Sequence, residues 1–211
     1  MSDNPLLSIT FHIPFDQVRV EHVEPGIREL LKQSQAHIDA LVADDDPRTF
    51  DYSMLALDKS TESLGYAMAV VRHLESVATT PELRAAWNVV EPEASAFFSQ
   101  IPLNEGLWKK LQSYASTDEA KSLRATQRRF LTKTLDSFRR EGAELDPAGK
   151  KRMAEIDVEL TKVTTKFSEN VLDSTNAFEL IITDESRLAG LPPSAIAAAR
   201  QNAESDRKSV V

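Results

Sequence analysis

Four histidines, His12, His22, His37 and His73, are the first residues to test for chemistry, because imidazole serves as a metal ligand and as a general acid or base near neutral pH. A helical zinc pair needs two of them at i and i+4, so that both rings reach one metal, and no two have that spacing. Glu21-His22-Val23-Glu24 sets an imidazole between two carboxylates. The plainer reading of that run is a charged cluster where a helix begins. His73, after Val70-Val71-Arg72, reads as a packed or rim histidine. Glu155 and Glu159 form an acid pair on one helix, a common pattern with little specificity. With no cysteine in the chain, disulfides, thiolate nucleophiles and Cys-ligated zinc are excluded together. No G-x-S-x-G, no glycine-rich phosphate loop and no Ser/His/Asp order occurs. The residues therefore nominate no catalytic, cofactor-binding or metal-binding position.

Two basic clusters remain, Arg124, Arg128, Arg129 and Lys133 with Arg139-Arg140, then Lys150-Lys151-Arg152. A nucleic-acid reader would interleave exposed aromatics with such cations. Here Phe130 and Phe138 fall on an apolar stripe, so the clusters read as solvated helix faces balanced by Glu141, Glu144 and Glu155. The whole chain of 211 residues carries a formal charge of −8, which disfavours nucleic acid and anionic membranes as partners. No apolar run approaches the roughly 20 residues that span a bilayer. A cysteine-free chain with these properties is expected in the cytoplasm.

The elements that would position such residues are helices. Hydrophobic residues make up 41% of the chain, enough for a core, while glycine occurs only six times and Asn-Gly and Asp-Gly turns are absent. Ile27, Leu30, Leu31, Ile38, Leu41 and Val42 share one stripe at steps of three and four. Leu123, Phe130, Leu131, Leu135 and Phe138 form a second, and Met153, Ile156, Leu160, Val163, Phe167 and Val171 a longer third. Thr80-Pro81 and Asp146-Pro147 read as helix starts, each placing a capping oxygen before a proline at the first helical position. Ser116-Thr117-Asp118-Glu119 has capping-box spacing with Ser116 as the cap. Gly142, behind Arg139-Arg140, suits a left-handed C-terminal cap. These signals predict helices near 24–44, 48–78, 81–99, 105–115, 118–141, 147–177 and 193–204. Glu179-Leu180-Ile181-Ile182-Thr183 is β-branched and predicts one short strand at 179–183, without a partner in an otherwise helical chain. There is no internal repeat.

Taken together, several blocks in order resemble the zinc metallopeptidases of the oligopeptidase A and thimet oligopeptidase type. They are Asn4-Pro5-Leu6-Leu7, Glu21-His22-Val23-Glu24-Pro25, His73-Leu74-Glu75-Ser76-Val77 with Thr80-Pro81-Glu82-Leu83-Arg84, Phe138 to Leu145, Phe167 to Thr175, and Leu188-Ala189-Gly190-Leu191-Pro192. The resemblance covers about residues 4–205. It implies an all-α, multi-helix bundle forming the N-terminal channel wall of a larger helical peptidase, with 1–20 as an arm and 21–205 as the helical region. It also implies a zinc site of the His-Glu-x-x-His type downstream, short peptides as substrates, and a C-terminal catalytic half as the missing partner. None of the zinc positions falls in this chain, so the chain alone is expected to be inactive. Asp206-Arg207-Lys208-Ser209-Val210-Val211 departs from the resemblance and reads as a non-native tail, one frame of a sequencing adapter. A free-standing helical module that binds peptides or a partner helix is the alternative. Truncation is also expected to leave one face of the later helices, and Leu180, Ile181 and Ile182, without their cover.

Overall fold

The computed structural model describes residues 4–43 and 49–205. The chain divides into two compact units, one ending at Asn170 and the other beginning at Val171. Nine α-helices occur among the described residues: α1 (Val20–Ala43), α2 (Ala56–Ser60), α3 (Glu62–Val77), α4 (Pro81–Leu103), α5 (Glu105–Ala115), α6 (Asp118–Ser122), α7 (Ala125–Arg140), α8 (Pro147–Ala177) and α9 (Pro193–Ser205). This is the expected all-α bundle, with short 3-10 turns at Pro5–Leu7 and Glu185–Leu188. The tail at 206–211 lies outside the described residues.

Local chemistry explains where most helices begin and end. The Thr80 hydroxyl accepts from Leu83 N at 3.2 Å, and Asp146 Oδ1 accepts from Gly149 N at 2.7 Å, so both Pro-led starts are capped as the sequence predicts. Gly142 has φ of +101°. There Gly142 N donates to Arg139 O at 3.2 Å and Ala143 N to Phe138 O at 2.9 Å, the paired bonds of a Schellman ending.

Four expectations need correction. The cap of α6 is Thr117, whose hydroxyl accepts from Ala120 N at 3.1 Å, while Ser116 Oγ turns back to donate to Gln112 O. The predicted 118–141 helix breaks at Leu123, where ψ is 144°. The break lets Leu123 enter the core at 7% exposure, and Arg128 donates to the freed Lys121 and Leu123 carbonyls. The predicted 48–78 helix opens with a wide π turn at Asp51–Leu55 and is interrupted again at Thr61. Finally, Glu179–Thr183 is not a strand: no strand occurs among the described residues, because an isolated five-residue segment has no ladder to join. Leu180 and Ile181 are 68% and 67% exposed.

The first unit holds two apolar cores. In the first, Val23, Ile27 and Leu30 of α1 meet Leu64, Ala67, Val70 and Val71 of α3, and Leu83, Trp87 and Val90 of α4; Leu6 of the N-terminal turn plugs one end. Asn4 fixes that plug by donating to His22 O at 2.9 Å and accepting from Leu6 N. In the second, Leu107, Trp108, Leu111 and Tyr114 of α5 pack with Leu131 and Phe138 of α7, Ala120, Leu123, Phe50 and Met54. The far ends of α1 and α4 also reach this core, through Leu41, Val42 and Ile101. In the second unit, the described side chains are all at least partly exposed. Its 3-10 turn is capped by Asp184, which accepts from Ser186 N at 3.0 Å.

Candidate functional site

The histidines do not converge. His22 Nδ1 accepts from Arg19 N at 3.1 Å, so this ring tightens the start of α1. His73 packs against Phe15, with ring centroids 5.2 Å apart, and His12 meets Phe11 edge-on at 5.1 Å. His37 borders a groove with Tyr52, Lys59 and Lys110. Among the described residues no group of three or more His, Asp and Glu is placed to hold a metal ion.

Part of each basic cluster is engaged locally. Arg139 pairs with Asp136 and Glu144 and lies 5.5 Å above the Trp108 ring, which itself stacks on Phe138. Arg152 pairs with Glu155, and Lys150 with Glu105. Phe130 meets Phe50 at 6.2 Å. Phe130 and Phe138, the aromatics of the first cluster's stripe, thus pack at the second core.

What the structure singles out is α8. One side of it docks on α4 through polar groups. Asn88 Nδ2 donates to Glu169 Oε1 at 2.7 Å, Thr165 Oγ1 donates to Glu91 Oε2 at 3.5 Å, and the Ser95 and Thr161 hydroxyls share a hydrogen bond. Residues 161, 165 and 169 lie at steps of four, and the partner numbers run the other way, so the two helices are antiparallel along this seam. The seam splits its two carboxylates electrostatically. Burial pushes the Glu91 carboxyl up from its ordinary value, against the opposing Thr165 bond, whereas the Asn88 bond holds Glu169 below the usual carboxylate range.

The apolar stripe of α8 lies on another side of the helix. Ile156, Leu160, Val163 and Phe167 are 42%, 56%, 61% and 68% exposed, and α8 contributes no buried residue. Taking 100° per residue, the stripe is centred roughly 170° from the docked polar face. An amphipathic helix has therefore turned its polar face inward. Beside the first half of α8 runs an open groove of about 770 Å³, with Leu103, Ala154 and Val158 among its lining and Lys151, Glu159 and Lys162 along it. The stripe itself is read readily from the sequence. The seam is not, although Asn88, Glu91 and Ser95 facing Thr161, Thr165 and Glu169 do leave a faint signal of polar residues at helical spacing.

No helix among the described residues is long and apolar enough to cross a membrane. The family model for the Neurolysin/Thimet oligopeptidase N-terminal domain matches residues 27–152, more than half of the chain. The Arabidopsis thaliana protein named "Organellar oligopeptidase A, chloroplastic/mitochondrial" is 35% identical over 196 residues, which is 93% of this chain and 25% of that protein. "Probable cytosolic oligopeptidase A" of the same plant is 34% identical over 196 residues, 93% of this chain and 28% of the relative. "Oligopeptidase A" of Escherichia coli (strain K12) is 32% identical over 201 residues, 95% of this chain and 30% of the relative. The chain thus spans only between a quarter and about a third of the length of these relatives. A helical bundle built on these capped elements, matched in order by that domain model, belongs to the Neurolysin/Thimet oligopeptidase family and represents its N-terminal domain.

Proposed function

We propose that this chain is the N-terminal, non-catalytic part of a cytoplasmic zinc endopeptidase of the oligopeptidase A type, an enzyme that hydrolyses short peptides. The observation that carries the reading is the asymmetry of the alignments, which take in 93–95% of this chain but only 25–30% of the relatives. The larger, downstream part is then the missing partner, and it holds the chemistry.

Zinc bound there would activate a water for attack on the peptide carbonyl. Among the described residues no group of three or more His, Asp and Glu is placed to hold the metal. This reading assigns them no catalytic step. The role left to this region is confinement: a rigid helical wall that limits how a peptide lies, which raises the rate of a reaction performed elsewhere by orientation alone. The absence of cysteine suits a reducing compartment.

The test compares the purified 1–211 chain with the complete protein in a peptide-cleavage assay with added zinc. Turnover is expected from the complete protein alone. Metal-dependent cleavage by 1–211 would refute the division of labour.

A further inference from the structure

We infer that the outward apolar seam of α8 seats an amphipathic helix from the downstream part of the same polypeptide. This rests on the proposed function and names the surface through which the two parts meet. Three observations on α8 converge on that occupant.

The first is register. Met153, Ile156, Leu160, Val163 and Phe167 are spaced 3, 4, 3 and 4, the narrow a/d repeat of a helix that packs along another helix and not the broader face that lies on a mixed core. Four of the five are 42–68% exposed, while the polar side of the same helix is already occupied by α4. A strand or an irregular loop would not match this repeat. A second helix crossing at a shallow angle would.

The second is charge. One flank of the seam reads Arg152, Glu159, Lys166 at successive g positions, and the other begins with Asp157. Antiparallel pairing with a second copy of α8 would bring Arg152 against Lys166 and Glu159 against itself, like against like. Parallel pairing gains only Arg152 with Asp157. The flank instead fits a helix carrying acidic, basic and acidic residues in that order.

The third is area. Covering these side chains removes on the order of 400 Å² per copy, against about 800 Å² per partner in a standard interface. That is thin for association between separate molecules. It suffices for a segment tethered to the same chain, whose effective concentration is on the order of millimolar. Relatives that extend well beyond this chain supply such a segment in length, since it makes up only 25–30% of them.

The experiment is hydroxyl-radical footprinting of the complete protein and of the 1–211 chain, read by mass spectrometry at Met153, Leu160 and Phe167. Severalfold lower oxidation at these positions in the complete protein is expected. The variant Leu160→Lys should lower the melting temperature of the complete protein and leave that of 1–211 unchanged, because lysine is a good helix former at an exposed site. Equal oxidation in the two proteins would overturn the seam assignment, and peptide cleavage confined to the complete protein would leave the proposed function standing. A gene with no long downstream region would remove both. Protection in 1–211 that grows with concentration, together with a dimer in sedimentation, would name a second copy as the occupant and overturn the inference.

Discussion

Replacing Gly142 with alanine tests the joint between α7 and α8. The residue sits at φ of +101°, where an L side chain costs roughly 1–2 kcal/mol in backbone strain. The new Cβ would lie 2.8 Å from Leu145 Cδ1 and 3.2 Å from Leu103 Cδ2. Leu145 is 45% exposed and its tip can swing away, but Leu103, at 8% exposure, has little room. Relaxing φ to avoid the strain would instead stretch the two Schellman bonds to Arg139 O and Phe138 O. The expected loss is about 2 kcal/mol, a drop of roughly 4–8 °C at the 2–4 °C per kcal/mol usual for chains of this size. Gly65 is the internal control. It lies inside α3, where a Cβ meets nothing within 4 Å, so Gly65→Ala should stabilise by about 0.5–1 kcal/mol. Thermal and urea unfolding of 1–211 followed by circular dichroism at 222 nm reads both. A Gly142→Ala protein as stable as the parent, or a Gly65→Ala protein less stable, would refute the argument from backbone freedom.

Two other substitutions probe the core and the seam. Leu107 is wholly buried among Trp108, Leu111 and Phe138, and Leu107→Ala should cost about 2–5 kcal/mol in urea unfolding; a loss under about 1 kcal/mol would mean the second core collapses around the gap. Glu91 has a folded-state pKa raised above its unfolded value by burial, so the stability it permits is greatest below the unfolded value and falls as pH rises through the raised one. Glu91→Gln should therefore stabilise at neutral pH, by less than about 1 kcal/mol because the site is half exposed, with the gain disappearing in acid. A gain that persists unchanged into acid would point to packing and not to charge.

Much of this fold is legible because its signals are local. Thr80-Pro81, Asp146-Pro147 and Gly142 act within one turn of themselves, and the structure uses each as their types dictate. Three of the four misreadings turn on a distant neighbour, present or missing. Leu123 leaves the helix because a core position awaits it, and Thr117 displaces Ser116 as the cap while Glu119 reaches across to accept from Phe50 N at 3.1 Å. Glu179–Thr183 has strand composition, but a strand exists only as a member of a pair. The candidate site divides in the same way. Periodicity groups Ile156, Leu160, Val163 and Phe167 on one face, yet it cannot say which face of α8 finds α4 first. That choice went to hydrogen bonds made by α8 with Asn88, Glu91 and Ser95, residue types that by default face water.

The sharing of α1 and α4 between both cores bears on how the domain comes apart. At 24 residues α1 is about 36 Å long, and it is anchored near its start by Val23 and Ile27 and near its end by Leu41 and Val42. Neither core can melt without fraying a helix on which the other depends, so the two behave as one cooperative block with a common opening free energy. By contrast α8, held at Lys150, Thr161, Thr165 and Glu169 by polar bonds and contributing nothing to either core, can detach as a separate step. Within the first unit the two cores thus form a stiff block that carries α8 as a releasable helix, and the order of events in its unfolding is set by which of its helices span two cores and which span none.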